Sequence, residues 1–146
     1  MSHHVTTRLP LRRVLLACAC AAGAVAAHAQ SASSAMPPWQ GAAPVRYVCG
    51  GIGSDESTAM RAAMKDHPLA LLFSRADGAY MANVGVAIKG GDANNAAALA
   101  MTANGPVCLI DLPAGRYTID VTAPGGEMKS QTVTVGGGSK TASFRF

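Results

Sequence analysis

VCLIDLPAGRYTIDVT, residues 107–122, reads as two strands and the turn between them. Val107 to Leu112 is a near-continuous apolar run, the pattern of a strand buried on both faces in the middle of a sheet. In Leu112-Pro113-Ala114-Gly115 the proline presets φ and the glycine can take the positive φ of a type II turn. From Arg116 to Thr122 the side chains then alternate, with Tyr117, Ile119 and Val121 on one face and polar or charged groups on the other. A central strand, a tight turn and a half-buried strand are what an antiparallel β domain is built from.

The same pattern repeats on either side. Short apolar runs from Val45 onward are separated by turn residues every 8 to 12 positions or so, the spacing of a small sandwich or barrel. Val45, Tyr47 and Cys49 alternate. Leu69 to Ser74 and Tyr80 to Lys89 flank Asp77-Gly78, a dipeptide suited to a tight hairpin. Within the second of these runs Val84, Val86 and Ile88 share a face, and Gly85 and Ala87 leave the other nearly bare. Met128 to Val135 and Thr141 to Phe146 form a C-terminal hairpin across Gly136-Gly137-Gly138, with Ala142, Phe144 and Phe146 on one side. Ala97 to Thr102 is a weaker strand. The expected fold is therefore all-β: a seven-stranded antiparallel sandwich without internal repeat.

One short helix interrupts it after the first strand. Gly50-Gly51-Ile52-Gly53 bends the chain, and Ser54 is a suitable N-cap. Asp55 and Glu56 put negative charge on the first turn, where the helix dipole favours it. Ala59, Met60, Ala63 and Met64 form one apolar stripe, and Pro68 forces an exit near His67.

Residues 1–29 read as an export signal. Arg8, Arg12 and Arg13 lead into an uncharged apolar run from Val14 to Ala27, and Ala27-His28-Ala29 offers a small-x-small cleavage site, so that Gln30 begins the mature chain. Leu15-Leu16-Ala17-Cys18 resembles a lipobox, which would make an outer-membrane lipoprotein acylated at Cys18. Only four residues separate Arg13 from Cys18, however, against the roughly 7 to 15 of an ordinary apolar region. Arg12-Arg13 lacks the flanking Ser or Thr of a twin-arginine signal, which leaves the general secretory route. The expected location is periplasmic or secreted. Residues 30–44 are rich in Ala, Ser and Pro and read as a flexible arm whose single aromatic, Trp39, could anchor it; residues 45–146 are the domain.

Without its leader the chain keeps nine Lys and Arg against eight Asp and Glu, a net charge of +1. These charges are scattered singly, which argues against nucleic acid as a partner. No second apolar run approaches the roughly 20 residues of a spanning helix, so no transmembrane segment is expected in the mature chain. Cys49 and Cys108 remain after export to an oxidising compartment; an even pair reads first as a disulfide, with two buried thiols as the alternative.

The turn and strand LPAGRYTIDV, residues 112–121, resemble the signature of carboxypeptidase-regulatory-like domains, a group of the prealbumin-like β-sandwiches. MANVGVAIK, residues 81–89, resembles the strand with a small-residue face that precedes a polar loop in that group. YVCGGIGSDESTAM, residues 47–60, and the terminal Phe144-Arg145-Phe146 look like a set of small exported proteobacterial proteins that carry the domain alone. The resemblance covers about residues 45–146. It implies a non-catalytic module, because the zinc ligands of the carboxypeptidases lie in a peptidase portion that has no counterpart here.

The residues themselves assemble no familiar catalytic set. His67 is the one histidine outside the leader, and no Gly-x-Ser-x-Gly elbow occurs. It reads as a helix-exit cap or an exposed loop residue. Asp55 and Glu56 are adjacent on a helix and diverge by about 100°, so they do not face one substrate from two sides. Asp77, Asp92 and Asp111 lack the spacing of a calcium loop. Gly50 to Gly53 lacks the Lys-Ser/Thr of a phosphate loop. Met60, Met64 and His67 fall on one helical face and could offer soft ligands to copper, although the same spacing packs a helix on a sheet. Phe146 resembles the terminal signal of outer-membrane barrels, but the strands are short and few for a barrel. The expectation is a cofactor-free, non-enzymatic envelope module that binds a protein or glycan or plays a structural role, with periplasmic copper handling as the alternative.

Overall fold

The computed structural model describes residues 35–90 and 97–146. The expected leader, its expected cleavage site at Ala29/Gln30 and Cys18 lie outside them. Among the described residues the order is β1 (Gln40–Ala42), β2 (Val45–Gly50), α1 (Ser54–Ala63), a 3-10 turn (Met64–Asp66), β3 (Leu69–Ser74), β4 (Val84–Gly90), β5 (Ala97–Ala103), β6 (Val107–Asp111), β7 (Gly115–Thr122), β8 (Met128–Val135) and β9 (Lys140–Arg145). The strands form two sheets, β1-β2-β6-β3-β9 and β5-β4-β7-β8. The fold is all-β and sandwich-like, with one short α-helix.

Alternation decides the interior. Leu69, Leu71 and Phe73 of β3, Val84, Val86 and Ile88 of β4, Ile119 and Val121 of β7 and Ala142 and Phe144 of β9 meet in one core between the sheets. The run expected to be near-continuously apolar, Val107 to Leu112, is buried on both faces from Val107 to Ile110, as read. Cys108 and Ile110 of β6 enter the inter-sheet core, whereas Val107 and Leu109 join Val48, Ala70 and Met60 in a second cluster under α1. The helix thus covers the outer face of the five-stranded sheet. This is why the stretches of β2, β6 and β3 under α1 lack the polar outer face that β7 keeps.

The pairing departs from the expected hairpins. Nine strands are present among the described residues where seven were expected: β5 forms, and Gln40–Ala42 within the expected flexible arm pairs antiparallel with β2. Consequently α1 follows the second strand. Around Asp77-Gly78 a turn does close, with Gly78 N–H donating to Arg75 O and Ala79 N–H to Asp77 Oδ1, but only Ser74 and Tyr80 bridge beyond it. Both sides of β3 are already taken, by β6 and β9. The chain therefore crosses to the other sheet through Asn83, whose φ is 60°.

β8 and β9 likewise part at the glycines. β8 pairs with β7, and β9 pairs with β3 in parallel, which breaks the all-antiparallel expectation. At the 112–115 turn Gly115 is the first residue of β7, opposite Val135, and is not among the positive-φ glycines. The turn is closed instead by the Tyr117 hydroxyl, which donates to Pro113 O at 2.8 Å. No helix among the described residues is long and apolar enough to cross a membrane.

Candidate functional site

Asp111 ends β6, and Arg46, the second residue of β2, lies directly opposite it in the register. Arg46 Nε donates to Asp111 Oδ2 at 2.7 Å. His67, delivered by the 3-10 turn and held extended before Pro68, places Nδ1 2.8 Å from the other carboxylate oxygen. A carboxylate only accepts, so Nδ1 is the donor in this bond. Burial pushes the Asp111 carboxyl up, yet the hydrogen bonds and charges of His67 and Arg46 outweigh it and hold the group below its ordinary value of 3.8.

Trp39 completes the cluster. Its ring lies 4.8 Å from the His67 ring, and the Arg46 guanidinium sits 4.9 Å from its centroid. With Met36 it also packs on the cluster under α1. Residues 36–42 are therefore fastened to the sheet by β1 pairing, aromatic packing and one charge network. His67 also lines an open cleft of about 370 Å³ with Lys65, Asp66, Leu112 and Ser139. The set can hold a chain segment and fix the orientation of the imidazole. Among the described residues the hydrogen bond of His67 is to Asp111, and no hydroxyl or thiol nucleophile bonds it.

The expected site residues fall as follows. Cys49 and Cys108 are register partners in β2 and β6 and form a disulfide. Cys49 Sγ lies 3.9 Å from Met101 Sδ; a disulfide sulfur has no hydrogen to donate, so this is a packing contact. Met60 is fully buried and Met64 packs beside it under α1, while His67 turns its Nδ1 to Asp111. Among the described residues no group of three or more His, Cys, Asp or Glu is placed to hold a metal.

Ser54 does not cap the helix; Gly53 holds the N-cap position, with φ 90°. Glu56, in the first turn, reaches back so that Oε1 accepts from Gly51 N–H at 2.7 Å and Ile52 N–H at 3.3 Å. These amides of the glycine loop are thus occupied by the chain's own carboxylate. Phe146 donates its N–H to Ser74 O, and Phe144 stacks on Phe73 at 6.0 Å inside the core.

The opposite end of the strands carries a different feature. Ile52 and Tyr80 are 65% and 61% exposed, and both line an open cleft of about 340 Å³ with Met81, Ala82 and Pro106. Tyr80 is braced from behind by Arg61, whose guanidinium carbon lies 4.6 Å from the ring centroid while Nε donates to Ser57 Oγ. Arg61 Nη2 is buried without a hydrogen-bond partner, so the electron-rich ring face supplies its compensation. Neither this end nor the Arg46–Asp111–His67–Trp39 network was singled out from sequence. Its available signals were Trp39, read as a possible anchor of the arm, and Asp111, a charge closing an otherwise apolar strand.

No protein-family model and no curated protein matches the chain.

Proposed function

We propose that the chain is an exported, non-catalytic module of the carboxypeptidase-regulatory-like, prealbumin-like kind, acting in the bacterial envelope by presenting a surface to a protein or glycan. The observation that carries this is the exposed Ile52–Tyr80 end. Two large apolar side chains project from the β2–α1 and β3–β4 loops beside a shallow apolar cleft. Exposed apolar groups grouped on a rigid scaffold mark contact sites more often than isolated ones do. An aromatic ring with one face braced by Arg61 offers its outer surface to a sugar ring or an apolar side chain at little entropic cost. The disulfide and the two cores hold the loops that carry it.

Genetically encoded benzoylphenylalanine in place of Tyr80 tests the reading in cells that export the protein. Irradiation is expected to give a discrete adduct at position 80 and none at Thr132, on the far sheet. Ile52→Asp should abolish it. Digestion of the adduct by protease or by a glycan hydrolase then tells protein from glycan. Equal yields from positions 80 and 132 would remove the basis for this surface.

A further inference from the structure

The edges of the two sheets are unequal. β1 is three residues long, β8 carries Lys129, and β9 carries Lys140 and Arg145. Short strands and lysines are the usual means of keeping an edge from pairing with another chain. β5 has neither. Ala97-Ala98-Leu99-Ala100-Met101-Thr102-Ala103 contains no charge and no proline, and among the described residues its only strand partner is β4.

From this edge we propose that β5 pairs antiparallel with β5 of a second copy of the chain, with the two-fold axis at Ala100. The strand is nearly the same read in either direction. About Ala100 such pairing sets Ala100 against Ala100, Leu99 against Met101 and Ala98 against Thr102. In a two-fold interface each contact occurs twice, so the strand meets itself with Leu99 and Met101 of like size and with small residues, Ala98 and Thr102, facing each other.

The faces agree as well. Leu99 and Met101 face inward, opposite Ile88 and Val86 of β4, and pack on the inter-sheet core. Pairing would therefore join the apolar interiors of two sandwiches through Leu99–Met101 contacts. Ala100 and Thr102 are exposed, and both side chains are small. Charge selects the same occupant: two copies meet at β5 without like-charge opposition, whereas β9 paired end to end with itself would set Lys140 against Arg145. The register shift opposite Ile88 and Lys89 leaves Ala98 without a β4 partner, so the closest pairing is centred on Leu99 to Met101.

Sedimentation equilibrium of the exported protein is expected to show a monomer–dimer equilibrium. Ala100 is exposed, so Ala100→Lys should leave the fold and its circular dichroism intact. It puts two ammonium groups opposite each other and should weaken association roughly tenfold. Ala100→Glu should do the same, and mixing the two variants should restore a heterodimer, a recovery that only the 100-to-100 register produces. Ala100→Cys should give a disulfide-linked dimer on mild oxidation, since directly opposed strand positions lie about 4.5 to 5.5 Å apart, whereas Gln131→Cys on β8 should not. A wild-type monomer throughout the micromolar range would overturn the proposal. So would a dimer indifferent to Ala100→Lys, or one trapped equally well through Gln131→Cys.

Discussion

Reducing the Cys49–Cys108 bond should destabilise the domain by roughly 4 kcal/mol. The cysteines are 59 residues apart in sequence, and the bond removes loop-closure entropy from the unfolded chain. On the chain-entropy relation a loop of this size is worth about 14 cal/mol/K, or about 4 kcal/mol at 25 °C. The native side of the balance changes little. β2 and β6 stay paired from Arg46↔Asp111 to Gly50↔Val107, and both sulfurs sit in the core, where thiols of similar volume remain. The assay is urea unfolding followed by the fluorescence of Trp39, the one tryptophan in the chain, on oxidised protein and on protein reduced in denaturant and refolded under reductant. With a slope of about 1–2 kcal/mol/M for a domain of this size, the midpoint should fall by about 2–4 M. The Cys49→Ala/Cys108→Ala variant should lie lower still, because it also removes two buried sulfurs. Oxidised and reduced midpoints within about 0.3 M of each other would refute the reasoning, as would a double variant matching the oxidised protein.

Asp111, held below its ordinary value by His67 and Arg46 against the effect of burial, contributes stability above the unfolded carboxylate range. That contribution is lost as pH falls through the lowered folded value, so stability should decline below about pH 4, and Asp111→Asn should flatten the decline. Urea midpoints across the acid range measure it; equal slopes in wild type and variant would show that the network does not couple to folding. Asp120, bonded by Lys89 and Ser130, is lowered too and supplies the slope left in the variant. At Gly105 an added Cβ would collide with the backbone of Gly50, so Gly105→Ala should destabilise by about 1–3 kcal/mol. Gly125→Ala, with nothing within 4 Å, should change stability by less than about 0.5 kcal/mol, and thermal melts of the two variants compare them directly.

Much of the local structure was legible because burial imposes a period on each strand. Val84, Val86 and Ile88, and likewise Tyr117, Ile119 and Val121, lie on the inward face that their alternation predicts. The near-continuous apolar run from Val107 to Leu112 announced β6 as a central strand, whereas the central place of β3 was not read from its residues. Turn residues marked where strands end, yet Asp77-Gly78 and Gly136 to Gly138 carried no information on which sheet takes the next strand. A turn limits the reach of the chain, whereas the partner is chosen by which edge remains open. Trp39 and Arg46 became part of a site only by lying near His67 and Asp111, residues up to 72 positions away in sequence.

Taken by themselves, the residues determine an all-β domain with a short amphipathic helix, the identity of its inward faces and the two cysteines available to one another. These are local or pairwise properties, set by backbone geometry and by the free energy of removing apolar side chains from water. Tertiary structure alone decided that β9 runs parallel to β3, that Gln40–Ala42 joins the sheet and that β5 is left as the uncharged edge. Backbone hydrogen bonding is the same for every sequence, so strand order emerges only when all the apolar faces compete for burial at once.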